Sequence, residues 1–305
     1  MTLSPCVDCS PEVREALDRR APLVALETTI VTHGMPYPQN VATARRVEAI
    51  VRDGGAVPAT IAVIGGRIRV GLSDEELEWL GTAKNVLKLS RADLAYAVAT
   101  GRDGATTVAG TMLCAALAGI GVFATGGIGG VHRGAERSMD VSADVEELAR
   151  TPVTVVCAGA KALLDLPKTL EVLETRGVAV IGYETDEFPA FWSRSSGLRL
   201  TLRADSPDAI AALVRAQREL GIVAGTIVAN PIPLADEIPA REMATHIEAA
   251  LGDAQRANVV GKAVTPWLLD RIFTLTQGKS LIANIALVEN NARLAAKIAV
   301  SCARV

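Results

Sequence analysis

The chain has 305 residues, of which 50% are hydrophobic and 21% charged. This composition excludes an intrinsically disordered protein, because such proteins lack the apolar surface that offsets the entropy of ordering. The 31 Lys and Arg residues against 34 Asp and Glu residues give a net charge of -3, and aromatic residues make up only 3%. The chain therefore lacks both the basic excess that neutralises a nucleic-acid backbone and the aromatic platform that stacks bases, so we expect no nucleic-acid partner.

The first twenty residues contain acidic side chains and no continuous apolar core, so they predict no targeting segment. Residues 1–20 are predicted to form a tail or helix ahead of a single domain at 21–305. Apolar runs such as 221–229 are far shorter than the roughly 20 residues that span a bilayer, so we expect no membrane association. Five cysteines without a disulfide spacing pattern favour a cytoplasmic location. For the lone CxxC pair, Cys6 and Cys9, zinc or redox chemistry and a plain terminal segment stay open.

Apolar, β-branched runs alternate with segments of helical period along the first three quarters of the chain. Such runs are typical of buried parallel strands in a sheet that helices cover on both faces. Strands are predicted at 23–26, 59–64, 86–89, 121–124, 153–157, 178–181 and 222–229. Helices are predicted at 41–52, 74–80, 92–99, 107–118, 144–148, 162–175 and 207–220, and then at 240–250, 265–276 and 280–302. The expected fold class is α/β, a three-layer α/β/α sandwich with a mainly parallel central sheet and a helical C-terminal part.

Two ionisable residues lie just beyond predicted strands, where open α/β sheets carry their functional residues. Glu27 follows the first strand, and a partly desolvated carboxylate there suits proton transfer, although a capping or ion-paired role is the alternative. Lys161 follows the strand at 153–157 among small apolar residues. Burial of an amine favours its neutral form, which is the form that attacks carbonyl carbons. An imine-forming nucleophile and a buried ion-pair member both fit Lys161.

Residues 125–134 form a glycine-rich segment after another strand, and backbone N–H groups in such turns can approach an anion closely. The glycine spacing matches neither a dinucleotide-binding fingerprint nor a P-loop, so a phosphate or substrate turn and a tight packing turn stay open. Lys88 and Arg91 lie close together at another strand end, where they can hold a phosphate or carboxylate or form an ordinary surface pair.

Asp140 and Asp144 flank Ser142 at the start of a predicted helix. Oxygen ligands in this arrangement can hold a divalent cation, or they can cap the helix and complement its dipole. Asn284 lies inside an apolar helix, where its side chain needs either a ligand or a neighbouring backbone group as a polar partner.

The order of these segments resembles that of the pseudouridine-5′-phosphate glycosidases, a family related to indigoidine synthase A. The segments that carry the resemblance are 27–30, 33–40, 123–134, 140–144, 157–161, 184–191, 230–233 and 278–284. Together they extend the similarity from about Pro22 to Ala299. Ala162 departs from the Ser that follows the lysine in many relatives, so one hydrogen bond beside that lysine is not expected here.

The resemblance implies a homotrimer of α/β/α subunits with one divalent cation, usually Mn²⁺, in each active site. Such enzymes cleave pseudouridine 5′-phosphate reversibly to uracil and ribose 5-phosphate. By similarity, Lys161 is the nucleophile, Glu27 is the proton donor and Asp140 is the metal ligand. The positions implied to contact substrate are Lys88, Val108, Ser142, Ala143 and Asp144, with His132 and Asn284 in motifs around the same site.

The implied reaction breaks a bond between ribose C1′ and uracil C5. Carbon is a poor leaving group, so the usual route with two carboxylates suits this bond badly. An imine between Lys161 and C1′ of the opened sugar offers an electron sink, and Glu27 then handles the protons. Three alternatives stay open: another Schiff-base sugar-phosphate lyase or aldolase, a non-catalytic sugar-phosphate-binding protein, and a relative from the pigment-pathway branch.

Overall fold

The computed structural model describes residues 3–259 and 261–304. Within them, eleven strands form one sheet: β1 Val7–Cys9, β2 Leu23–Leu26, β3 Val57–Ile64, β4 Arg67–Val70, β5 Leu87–Leu89, β6 Gly104–Thr106, β7 Val122–Ala124, β8 Thr154–Cys157, β9 Ala179–Tyr183, β10 Leu202–Ala204 and β11 Thr226–Ala229. The strand order is β1-β4-β3-β2-β7-β8-β11-β9-β10, and β6 joins β5 to β3. All pairs are parallel except those of β3 with β4 and with β6. The predicted mainly parallel sheet is confirmed.

Twelve α-helices lie in the described residues: α1 Pro11–Asp18, α2 Gln39–Asp53, α3 Asp74–Thr82, α4 Arg91–Thr100, α5 Val108–Ala118, α6 Ala135–Ser138, α7 Ala143–Leu148, α8 Leu166–Thr175, α9 Pro207–Glu219, α10 Ala240–Arg256, α11 Val264–Leu275 and α12 Lys279–Ala303. A π-helical turn spans Ile30–Gly34. Helix α12 packs against α2, α9 and strands β2, β7 and β8, whereas α5 packs with α4 and α7. These contacts form the outer layers of the three-layer sandwich.

Burial explains why the central strands form where the apolar runs predict them. Every residue of β2, β8 and β11 is buried, because helices cover both faces of the sheet. Helix α12 is buried on several sides, as its apolar sequence predicts, and it packs across the sheet. None of the helices in the described residues combines the length and apolar character needed to cross a membrane.

Three segments differ from the sequence prediction. The strand predicted at 222–229 begins only at Thr226, since Gly221 has φ +68° and Val223 is 63% exposed. The helix predicted at 162–175 begins at Leu166, where the Asp165 side chain accepts from the backbone N–H of Lys168. Within residues 3–20, α1 buries Val13 in the core, and β1, a strand that the sequence did not predict, pairs with β4.

Candidate active site

A cavity of about 380 Å³ opens beside the carboxyl ends of β2, β7 and β8. Because these strands are parallel neighbours, the loops that follow them meet at one edge of the sheet. The cavity lining includes all the residues that the family resemblance implies for the site: Glu27, Lys88, Val108, His132, Asp140, Ser142, Ala143, Asp144, Lys161 and Asn284. The fold therefore gathers side chains that lie far apart in the sequence.

Beyond β8, the loop that carries Lys161 runs beside the glycine-rich segment 125–134 that follows β7, which we call the glycine turn. The N–H of Ala158 donates to the carbonyl of Gly126 at 2.9 Å, and the N–H of Lys161 donates to that of Ile128 at 3.1 Å. Between these two backbone contacts, Lys161 Nζ donates to the carbonyl oxygen of Gly127 at 2.6 Å. The amine is thus held by a neutral acceptor that belongs to the glycine turn.

Glu27 is the carboxylate nearest the end of β2 in this cavity. Thr29 Oγ1 donates to its Oε2, and Thr125 Oγ1 donates to its Oε1. One hydroxyl comes from the loop after β2 and the other from the residue after β7, so both carboxylate oxygens are fixed from different parts of the fold. Such a fixed carboxylate can exchange a proton with a ligand in one defined orientation.

Asp144 joins three elements at the opposite wall of the cavity. Its Oδ1 accepts from the N–H of Ala109 at 2.9 Å, in the first turn of α5, and its Oδ2 accepts from the N–H of Gly129 at 2.8 Å. Ser142 caps α7 as its sequence position predicts, because its hydroxyl accepts from the N–H of Asp144 at 3.3 Å. Asp144 therefore shapes the glycine turn and the cavity edge at Val108; contact with substrate stays a prediction.

A short turn places His132 and Asp140 together at the cavity mouth. The N–H of His132 donates to the Asp140 carbonyl at 3.0 Å, and the N–H of Ser142 donates to the Gly130 carbonyl at 2.9 Å. Burial holds the pKa of His132 below its usual value; the Asp140 carboxylate opposes this shift, whereas the cations of Lys161 and Lys88 add to it. The imidazole is therefore neutral at neutral pH. Lys88 and Lys161 line the same cavity as His132.

Asp140, the predicted metal ligand, lies at the cavity mouth beside His132. Its carboxylate is 39% exposed and its Oδ2 lies 3.9 Å from His132 Nδ1. In the described part of the chain, no group of three or more His, Cys, Asp or Glu side chains is arranged to hold a metal ion. These residues do not fit a closed protein cage. They fit a hard divalent cation that one carboxylate holds and that water and substrate oxygens complete, as ions of the Mg²⁺ type prefer.

Asn284 brings a polar group to the cavity from helix α12. Its side-chain Oδ1 is buried and has no hydrogen-bond partner among the described residues, and it lies beside Gly126. A buried acceptor without a partner is rare in folded proteins. The cavity therefore offers a ligand one unused acceptor next to the glycine turn.

Sequence reasoning did not single out several residues of the cavity. Thr29, His33 and Phe191 line the cavity; all three lie in the segments that carry the family resemblance, which was the available signal. Arg91 does not line the cavity. Its guanidinium donates two hydrogen bonds of 2.6 Å to the buried Glu147 carboxylate, so of the two interpretations left open for Arg91 the structure favours a structural pairing over anion binding.

Comparisons with known proteins agree with this geometry. Residues 12–301 match the family described as indigoidine synthase A like protein. A pseudouridine-5′-phosphate glycosidase from Methylobacterium nodulans is 67% identical over 97% of this chain and 88% of its own length, and one from Paracoccus denitrificans is 65% identical over 99% of this chain and 100% of its own.

Solved structures show the same architecture. The crystal structure of the prealnumycin C-glycosynthase AlnA in complex with ribulose 5-phosphate superposes with a TM-score of 0.91 at 36% identity, over 99% of this chain and 98% of that one. An indigoidine synthase A-like protein from Thermotoga maritima gives 0.88 at 34% identity, over 98% and 97%. The chain belongs to the indigoidine synthase A like protein family.

Proposed function

We propose that this protein reversibly cleaves the C–C glycosidic bond of pseudouridine 5′-phosphate, giving uracil and ribose 5-phosphate. The observation that carries the proposal is the Lys161 amine, held by the Gly127 carbonyl in the same cavity as the oriented Glu27 carboxylate. The shared name of the bacterial relatives supports the choice of substrate. A phosphosugar in the AlnA complex supports the substrate class.

The chemistry starts at C1′ of the ribose. The neutral Lys161 nitrogen forms a bond to C1′ as the C1′–O4′ bond breaks, and O4′ takes a proton from Glu27. The attached nitrogen, now positively charged, gives a proton back to Glu27 and so regains its lone pair. This lone pair then forms a C=N bond as the C1′–C5 bond breaks, and uracil C5 takes the proton of Glu27 with the released electron pair. Water hydrolyses the imine, which releases ribose 5-phosphate and restores the amine.

Binding groups surround these two residues. Lys88, Ser142, Ala143 and the N–H groups of the glycine turn offer positive charge and donors to the 5′-phosphate, whose binding energy positions C1′. The orphaned Oδ1 of Asn284 offers an acceptor to an N–H of uracil. A substrate with an anionic end and a base with N–H donors fits both features.

Asp140 would hold a divalent cation, Mn²⁺ by family resemblance, at the cavity mouth. When bound, such an ion orients and polarises oxygen ligands. Asp140 itself supplies one carboxylate ligand from the turn that also carries His132. We also propose that the protein is a homotrimer and acts in the cytoplasm.

The test is release of uracil, followed by its ultraviolet absorbance, when the protein is incubated with pseudouridine 5′-phosphate and Mn²⁺. We expect EDTA to suppress the release and added Mn²⁺ to restore it. Borohydride in the presence of ribose 5-phosphate should add the mass of the reduced sugar to Lys161, and Lys161→Ala should abolish both trapping and turnover.

Other outcomes would point to the alternative functions. Sugar mass on a different lysine contradicts the role of Lys161. Release of a small aldehyde instead of uracil indicates an aldolase. Thermal stabilisation by ribose 5-phosphate with no turnover of any substrate indicates a sugar-phosphate-binding protein.

A further inference from the structure

The peptide that holds the Lys161 amine packs against an aromatic ring of the cavity wall. We propose that Phe191 is a positioning residue: its ring fixes the Gly127 carbonyl, which in turn holds the Lys161 amine in the orientation from which it attacks. This inference deepens the proposed function, and it rests on that function in one respect only, namely that Lys161 is the nucleophile.

The ring of Phe191 lies directly against the backbone of Gly127. A Cβ atom on this glycine would lie 2.6 Å from Cδ2 and 2.8 Å from Cε2 of Phe191, so the ring occupies the space that any side chain would need. The carbonyl oxygen of the same glycine accepts from Lys161 Nζ at 2.6 Å. A shift of the ring therefore changes where the acceptor of the amine lies.

The backbone of Phe191 is held in a conformation that bulky residues rarely adopt. Its φ is +60°, in the left-handed region. Its N–H donates to the carbonyl of Ala158 at 3.0 Å, and the backbones of Ala190 and Ser193 exchange hydrogen bonds of 2.9 and 3.3 Å around it. Ala158 belongs to the loop that carries Lys161, so this loop also fixes the residue that supports the acceptor of its amine.

A second aromatic ring restricts Phe191 further. The ring centroids of Phe191 and Trp192 lie 4.9 Å apart with an angle of 82° between the planes, an edge-to-face arrangement that aromatic pairs favour. Trp192 is 1% exposed, and its Nε1 donates to the carbonyl of Ser280 in the first turn of α12 at 2.9 Å. The pair thus anchors the ring to a helix that also lines the cavity through Asn284.

These contacts form a closed circuit around the amine. Lys161 donates to Gly127, Gly127 packs on Phe191, and Phe191 donates to Ala158 in the loop of Lys161. Each member limits the motion of the next, so the amine keeps one orientation before a substrate arrives. Such orientation lowers the barrier to attack, and a misplacement of about 1 Å can cost about 100-fold in rate.

The competing explanation is that Phe191 only fills the core. Phe188 provides the matched control, because it lies in the same segment, is fully buried and is not among the residues that line the cavity. Phe188→Leu and Phe191→Leu remove the same ring, so both should lower Tm to a similar extent. Only Phe191→Leu releases the Gly127 peptide.

The experiment compares wild type and the two variants in borohydride trapping with ribose 5-phosphate, where mass spectrometry follows the modification of Lys161. We expect Phe191→Leu to slow this modification by about tenfold, whereas Phe188→Leu should react at nearly the wild-type rate. With pseudouridine 5′-phosphate, Phe191→Leu should lower kcat by about tenfold with little change in KM, and Phe188→Leu should change neither.

Gly127→Ala tests the same contact from the other side, because its methyl group would displace the Phe191 ring. It should slow the trapping of Lys161 by at least about tenfold. If Phe191→Leu does not fold, the trapping rate of Gly127→Ala decides the question.

Equal trapping rates in Phe191→Leu and Phe188→Leu would overturn the inference, as would a raised KM with an unchanged kcat. If wild type is trapped at Lys161 but releases no uracil, the trapping rates still decide the inference, and the proposed function alone fails. A wild type that is never modified at Lys161 contradicts the nucleophile on which both depend.

Discussion

At the scale of single residues, the glycine turn can form only because Gly129 has no side chain. A Cβ on Gly129 would lie 2.2 Å from Ser142 Oγ and 2.7 Å from Asp144 Oδ2, closer than any real contact. The missing side chain lets the turn lie against the start of α7, where the N–H of Gly129 reaches Asp144 at 2.8 Å. Cavity shape therefore depends on this glycine for close approach rather than for backbone freedom.

Gly129→Ala should accordingly push the turn away from α7. We expect a loss of about 1–3 kcal/mol in the free energy of unfolding, as for other overpacked sites, and a fall in kcat/KM of at least about tenfold because the binding wall moves. Denaturant unfolding and the uracil assay measure the two effects. Gly252→Ala is the matched control: only the tip of Arg256 lies near its Cβ, so stability should hold or rise slightly.

Residue types at the site could be predicted from sequence, but their partners could not. Glu27, Lys161 and the glycine turn follow apolar strands, a position that local sequence reveals. Thr125 is also visible there, yet its backbone carbonyl accepts a hydrogen bond from Asn291, more than 160 positions later. Likewise, the oxygens of Asp144 are taken by backbone N–H groups of α5 and the glycine turn, which no local pattern encodes.

At the scale of elements, a buried ion pair joins α7 to α4. The Glu147 side chain is 1% exposed, and Arg91 at the start of α4 donates two hydrogen bonds to it. Lys88 lies three residues before Arg91, and Ser142–Asp144 lies at the other end of short helix α7. The pair thus fixes two walls of the cavity relative to each other.

Arg91→Met should leave the Glu147 carboxylate buried without its cation. We expect a loss of about 2–4 kcal/mol in the free energy of unfolding, because an unpaired buried charge is costly, together with a raised KM as the walls separate. Arg150→Met removes an exposed partner of Glu146 on the same helix and should cost less than about 1 kcal/mol. Equal losses in the two variants, measured by urea unfolding, would contradict this role for the pair.

Strands were predicted correctly where burial requires an apolar sequence. They were missed where the strand depends mainly on hydrogen bonds to a neighbouring strand. Strands β2, β7 and β8 are buried on both faces and appear as plain apolar runs. The three- and four-residue strands β1, β4, β6 and β10 include polar or glycine positions and exist because a neighbouring strand supplies hydrogen bonds. Their sequences contain no periodic signal that distinguishes them from loops.

At the scale of the whole molecule, the fold brings two histidines into a cavity that Lys88 and Lys161 also line. The pKa of His33 is lowered chiefly by burial and then by the charge of Lys88. The pKa of His132 is lowered for the same first reason. Both imidazoles therefore resist protonation in the folded chain, whereas in the unfolded chain they take up protons near pH 6.5.

This difference predicts how stability depends on pH. Well above pH 6.5, both histidines are neutral in both states and contribute no pH dependence. As the pH falls below 6.5, the unfolded state binds protons that the folded state refuses, so the free energy of unfolding should fall until the lower, folded-state pKa is reached. Because His33 can take up only one proton, its share stays below about 1.4 kcal/mol per pH unit.

His33→Gln should make the loss of stability between pH 6.5 and 5 shallower, since glutamine keeps a polar side chain there but does not titrate. Urea unfolding at fixed ionic strength across this range measures the slope for both proteins. The remaining slope in the variant reports His132 and the other titrating groups. Parallel curves for wild type and variant would show that His33 takes up its proton equally well in both states, and that burial beside Lys88 does not hold it neutral.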